Sequence, residues 1–143
     1  MLTIRSEVPP SRIPELTDLM RTAWWMSDRT PDEVARLVEH SDVIVALIHG
    51  PTDRLVGFAR VLTDYTHVAL VLDVIVDESR RGSGLGAALL DAVVNRSELA
   101  GIRSLELVCQ PELVPFYRRW GFTDQVGAST LMRRTTDTRL ISC

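Results

Sequence analysis

Between Asp77 and Leu90 the chain reads DESRRGSGLGAALL. Gly82, Gly84 and Gly86 alternate there, Arg80 and Arg81 precede them, and an apolar run follows in which Leu85, Leu89, Ala92 and Val93 have helical spacing. A strand, a glycine-rich turn and a helix start together make an anion site. The first backbone N–H groups of the helix have no intrahelical acceptor, the helix dipole adds to their pull, and glycine lets a phosphate come close to the backbone. The chemistry expected is therefore phosphate binding. A nucleoside-triphosphate loop is excluded, because it needs a Lys followed by Ser or Thr after its last glycine and none stands here. A dinucleotide site fits better: Gly82-x-Gly84-x-x-Ala87 matches its fingerprint, and Glu106 stands about twenty residues on, where a ribose-binding acid belongs. Against it, Glu106 falls in mid-strand, and too few residues follow the loop for a doubly wound sheet.

Asp73 is the only charged residue between Val68 and Val76, in an otherwise apolar stretch just before the loop. Burial would raise its pKa toward that of a general base unless hydrogen bonds hold it ionised. Two readings stand side by side: Asp73 as the base of a reaction, or Asp73 paired with an arginine such as Arg60. Glu106 is the second acid. It alternates against Leu105 and Leu107 and so faces the opposite side of its strand, where a solvated or salt-bridged acid is expected.

The elements that must position these residues follow from periodicity. LTIR at 2–5 reads as a strand. A helix is expected from Pro14 to about Met26 on the stripe Ile13, Leu16, Met20, Ala23. A second helix begins at Thr30-Pro31-Asp32-Glu33, a capping box with Pro at its first position. Strands are expected at 43–48, 55–62 and 68–76, the first two joined by the turn His49-Gly50-Pro51-Thr52-Asp53. The glycine loop leads into a helix from about Gly84 to Arg96. Gly101 then precedes a strand at 104–109, a short helix or turn spans 111–120, and one or two final strands are expected from Phe122 to about Arg133. The order implies a mixed α/β sheet, antiparallel in its first half, with a crossover at the glycine loop.

Bulk properties narrow the classes. With 143 residues, 45% of them hydrophobic and 24% charged, one domain spanning 1–143 is expected. A net charge of −3 gives no general attraction to nucleic acid or anionic membrane. No signal-like start and no spanning apolar run is present, and Cys109 and Cys143 form no disulfide framework, so a cytoplasmic setting is expected. The three histidines and two cysteines lack ligand spacing, so no metal is expected.

Two separated segments resemble the GNAT superfamily of N-acetyltransferases. VIVDESRRGSGLG at 74–86 is similar to that family's strand followed by Arg/Gln-x-x-Gly-x-Gly/Ala, with Arg81, Gly84 and Gly86 in the defining places. PFYRRWGF at 115–122 looks like its Phe-Tyr-x-x-x-Gly-Phe segment. The resemblance covers roughly residues 43–125. It implies a GNAT-like sheet with an antiparallel N-terminal half, a splayed parallel pair of central strands and helices on both faces. It also implies acetyl-CoA as cosubstrate, its pantetheine arm paired with the backbone of Val74, Ile75 and Val76. The pyrophosphate would lie on the N–H groups of Arg81, Gly82, Ser83, Gly84, Leu85, Gly86 and Ala87. Tyr117 corresponds to the family's tyrosine that protonates the departing thiolate; as an alternative it is one member of an aromatic cluster with Phe116, Trp120 and Phe122. Where many members carry an asparagine that contacts the cofactor, this chain has Cys109-Gln110-Pro111.

On this reading the acceptor is a small-molecule or peptide amine. Its site would be built by the first two helices and the loop Trp24-Trp25-Met26-Ser27-Asp28-Arg29. One tryptophan would complete the core and the other wall the pocket with Arg29. Asp64, Tyr65 and His67 are rim candidates. A homodimer is common in the resembling family, and a final exposed strand would serve it. Two other readings remain: a noncatalytic CoA-binding or sensor module, and an NAD(P)-binding oxidoreductase domain.

Overall fold

The computed structural model describes residues 1–80 and 82–141, which divide into two compact units, Met1–Cys109 and Gln110–Cys143. The first unit is built on one five-stranded sheet: β1 (Leu2–Arg5), β2 (Val43–His49), β3 (Arg54–Thr63), β4 (Val68–Val76) and β5 (Ser104–Leu107), in that order across the sheet. The first three pairings are antiparallel and β4–β5 is parallel. The parallel pair requires a crossover, which α3 (Leu85–Val94) supplies. The strands run in sequential order across the sheet, so there is no strand-order reversal of the kind that holds a dinucleotide, and the oxidoreductase reading falls.

β2 and β3 are buried along nearly their whole length, which is why their apolar residues form runs rather than an alternation. Alternate residues feed two cores. Ile44, Ala46, Ile48, Leu55, Phe58 and Ile75 pack with residues of α1 (Ile13–Met20) and α2 (Pro31–Glu39). Val45, Leu47, Val56, Ala59, Val61 and Val71 pack with Leu85, Leu89 and Val93 of α3 on the other face. Burial on both faces fixes strand register, because a slip of one residue would exchange the two sets.

α2 begins as its sequence dictates. Glu33 N–H donates to Thr30 Oγ1 at 3.2 Å, and Thr30 N–H donates to Glu33 Oε1 at 3.0 Å. Thr30→Ala is expected to cost about 1 kcal/mol and lower Tm by roughly 4 °C, read by thermal melts.

The expected first helix is shorter than its stripe. α1 stops at Met20, where Thr22 Oγ1 donates to Leu19 O at 2.6 Å and Ala23 N–H to Met20 O at 3.0 Å. Ala23 is extended and a 3₁₀ turn over Trp24–Met26 follows. This break turns Met26 fully into the core and leaves Trp24 outside it.

In the second unit a 3₁₀ turn at Pro111–Leu113 runs into α4 (Val114–Arg118), closed by Gly121 at φ +87°. The final strands expected from Phe122 do not form among the described residues. Val126, Leu131 and Met132 do not alternate into one apolar face and are all exposed, and Gly127 takes φ +68°. The strand expected to serve a dimer is therefore absent there. No described helix is long and apolar enough to cross a membrane.

Candidate active site: an open strand edge, a glycine turn and an arginine-bound carboxylate

β4 and β5 pair only from Val68↔Ser104 to Val71↔Leu107. Beyond Val71, β4 continues to Val76, still paired on its other side with β3 through Leu72↔Arg60, Phe58↔Ile75 and Gly57↔Val76. The stretch containing Val74, Ile75 and Val76 thus has one ladder edge without a strand partner among the described residues. Such an edge takes an extended amide-bearing chain as an added strand.

A β-bulge lies in the same stretch. The register shifts between Phe58 and Arg60, so Asp73 and Val74 together oppose Ala59, and Asp73 adopts φ +55°. Aspartate tolerates this left-handed conformation better than a branched residue would. The side chain is held from two elements. Arg29 donates from Nη1 to Asp73 Oδ2 at 2.8 Å and from Nη2 to Oδ1 at 3.0 Å, and Arg60 Nε donates to Oδ2 at 2.6 Å. Burial alone would raise the Asp73 carboxyl. The hydrogen bonds and charges of Arg29 and Arg60 outweigh it and hold the group below the usual carboxylate range. An ionised acid bound by two guanidiniums is a poor proton acceptor, so the geometry bears on the choice between the two readings of Asp73. It is the arginine-paired reading that the geometry favours.

The same pairing reassigns Arg29. It is engaged with Asp73 and lies 3.1 Å from Met26 Sδ, so it ties the loop after α1 to the bulge rather than offering a free cation. The two tryptophans differ in burial. Trp25 packs on the core, while Trp24 is 53% exposed, its ring edge-on to Trp25 with centroids 5.7 Å apart. Arg60 is the functional candidate that sequence reasoning used only as a pairing partner. The available signal was its position as the one charge in LVGFARVLT.

After β4 the chain turns on Asp77. Its N–H donates to Val56 O at 2.8 Å, and its Oδ1 accepts from Ser79 Oγ at 2.7 Å and Ser79 N–H at 3.0 Å. The Ser79 hydroxyl bond chiefly holds this carboxyl low. Gly82 and Gly84 take φ +79° and +78°, and Gly84 is the residue before α3. A Cβ on either would meet nothing within 4 Å, so these glycines are required by backbone angle and leave open space above the helix start. Gly82, Ser83 and Gly84 are exposed, Leu85 is buried, and Gly86 and Ala87 are half-buried in the first turn of α3. Arg81, expected to meet a phosphate, lies outside the described residues. Two surface hollows lie elsewhere and carry no such chemistry. One of about 260 Å³ is lined by residues including Arg12 and Asp53, already ion-paired at 2.8 Å, and one of about 320 Å³ is mostly apolar around Val8, Ile13 and Val38.

In the second unit Tyr117 is buried, whereas Phe116, Trp120 and Phe122 are half-buried. Its ring lies 5.1 Å from Phe116 and 6.1 Å from Phe122, both edge-on. The Arg119 guanidinium covers Phe116 and Trp120 at 5.6 and 4.8 Å. The expected aromatic cluster is therefore present around Tyr117. Gln110 is the residue before the 3₁₀ turn at Pro111.

Residues 18–136 match the family described as Acetyltransferase (GNAT) domain. The chain is 32% identical over 110 residues to the uncharacterized N-acetyltransferase ycf52 of Porphyra purpurea, covering 76% of this chain and 63% of that protein. It is 34% identical over 95 residues to GCN5-related N-acetyltransferase 1, chloroplastic, of Arabidopsis thaliana, covering 66% of this chain and 47% of that protein. The chain thus spans less than two-thirds of the length of these relatives. Among solved structures, a GNAT-family protein of Xanthomonas campestris aligns with a TM-score of 0.79 at 29% identity over 94% of this chain and 93% of its own. Its fold is that of the sheet described above, and the family match runs through both the glycine turn and the Tyr117 segment. The chain belongs to the GNAT acetyltransferase family.

Proposed function

We propose that this protein is an N-acetyltransferase that moves an acetyl group from acetyl-CoA to a primary amine by direct attack. The observation that carries the reading is the edge of β4 that has no strand partner among the described residues and leads straight into a left-handed glycine turn and the start of α3. That arrangement suits a ligand with an extended amide arm and a pyrophosphate. The arm would pair with Val74, Ile75 and Val76. The pyrophosphate would take the N–H groups between Arg81 and Ala87.

Acetyl-CoA supplies the activated acyl group as a thioester. The amine nitrogen bonds to the carbonyl carbon, the C–S bond breaks, and the thiolate takes a proton from the Tyr117 hydroxyl. The amine gives its own proton to water, because Asp73 is committed to its arginines. We place the acceptor on the sheet face shared with α1 and α2, with Trp24 and Trp25 at its wall and Arg29 behind them. The two units are proposed to act as a single domain over 1–143. A reducing compartment is what the cysteine usage supports, the cytoplasm included. A dimer would need a surface other than a final strand, and light scattering reads it.

A thermal-shift panel with acetyl-CoA, CoA, NAD and NADP tests cofactor class, since stabilisation grows with ligand over Kd. A shift with both CoA species and neither dinucleotide is expected. A broad amine screen following free CoA then tests catalysis; binding without turnover of any amine would favour the noncatalytic module. Gly84→Ala checks the cradle. Forcing alanine to φ +78° costs about 1–2 kcal/mol, and its methyl would stand where the anion approaches. Acetyl-CoA affinity by calorimetry should fall about tenfold, close to the same energy; unchanged affinity removes Gly84 from the site.

A further inference from the structure

We infer that the accepted amine also carries an anionic group of carboxylate or phosphate geometry, held by Arg60; this rests on the acetyltransferase reading above. Arg60, Asp73 and Arg29 form one cluster of two cations and one anion, with side chains 11%, 6% and 21% exposed. Arg29 spends both terminal nitrogens on Asp73. Arg60 gives Asp73 only its Nε. Its two Nη nitrogens have no partner among the described residues, and neither is sealed from solvent. A guanidinium this buried, with its charge not fully matched, is costly unless something completes its hydrogen bonds. Its free end is a planar pair of donors, which suits an oxyanion bidentately.

The place is right for an acceptor. Arg60 lies opposite Ile44 on β2 and Leu72 on β4, on the face that packs with α1 and α2 and one strand from the open edge. Strand register puts two further titratable side chains on this face: Arg5, opposite Ala46 and exposed at the far end of the sheet, and Glu106, opposite Leu70; Leu105 and Leu107 pack on the α3 core. Two strand spacings and two residues separate Arg60 from Glu106, about 12 Å between Cα atoms. Glu106 accepts from Ser104 Oγ at 3.2 Å and has no arginine partner among the described residues. The face thus offers a cation for the acceptor's anion and an acid toward its ammonium.

Matched acceptors test this on the unaltered protein: lysine against cadaverine, β-alanine against propylamine, phosphoethanolamine against ethanolamine, and the best acceptor of the amine screen against its analogue with the anion removed or added. The anionic member should have kcat/KM higher by about 10- to 150-fold, the range for a hydrogen-bonded charge. Arg60→Met should erase that preference by raising KM for the anionic member, with the acetyl-CoA thermal shift retained; Arg60→Lys should keep part of it. Equal or better use of the members that lack the anion overturns the inference and leaves the acetyltransferase reading standing. No acetyl-CoA shift, or no turnover of any amine, overturns both.

Discussion

Tyr117→Phe is expected to lower kcat about 100-fold or more while the KM for acetyl-CoA stays within about twofold, as for loss of a general acid. The substitution keeps the ring and therefore its edge-on packing with Phe116 and Phe122. Only the hydroxyl is removed, so stability should fall by no more than about 1 kcal/mol. A phenol near pKa ~10 can protonate a thiolate of pKa ~8.5 when the two are held together, because the leaving group is charged only as the bond breaks. Tyr117 is the one buried member of its aromatic cluster, and a buried phenol has a stronger need for a defined hydrogen-bond role than an exposed one. Steady-state kinetics with a saturating amine decides it. A variant with near-normal kcat would return Tyr117 to the role of a packing residue and leave proton delivery to water.

The second large effect is on the fold that carries the site. Asp73→Ala should cost about 3–5 kcal/mol, the range for breaking a buried pair from one side, because Arg29 and Arg60 would both lose their counter-charge. At roughly 3–4 °C per kcal/mol for a chain of this size, Tm should fall by about 10 °C or more. The pH dependence follows from the sign of the shift. Asp73 is lower in the folded state than unfolded, so its contribution is full above the unfolded value near 3.9 and is lost as pH falls through the folded value. Denaturant titrations between pH 7 and pH 3 should show the difference between wild type and Asp73→Ala shrinking only at the acid end. If Asp73 were the base, Asp73→Asn would abolish the acidic limb of the kcat/KM profile; as an anchor it should leave that limb in place in whatever fraction remains folded.

These experiments divide along a line visible in the chain itself. Strands buried on both faces, such as VIVALIH and LVGFARVL, were legible as short, largely apolar stretches of strand length separated by the turn His49-Gly50-Pro51-Thr52-Asp53. The capping box at Thr30 and the left-handed Gly84 were legible because their demands are local: one side-chain bond, one backbone angle. The end of α1 was not. Its stripe continues through Ala23, yet the helix ends after Met20, where Thr22 Oγ1 bonds Leu19 O and Ala23 turns extended, an end that the apolar spacing does not signal. The absent strands after Phe122 are the same lesson reversed, since residues there could be read as extended but supply no single face to bury.

For the site, the sequence by itself determined the glycine turn, the strand before it and the aromatic segment around Tyr117. Each depends on residues close together in the chain, and together they identify the family. The pairing of Asp73 with Arg29 and Arg60 was decided only by tertiary structure. These residues are 44 and 13 positions apart from Asp73, and whether a lone buried acid is a base or an anchor depends on which cations reach it. The bulge that opposes Asp73 and Val74 to Ala59 turns that acid toward both arginines at 2.6–3.0 Å. At that distance Coulomb attraction and hydrogen bonding outweigh desolvation, so an acid that looks like a proton acceptor in the sequence is held as a fixed charge in the fold.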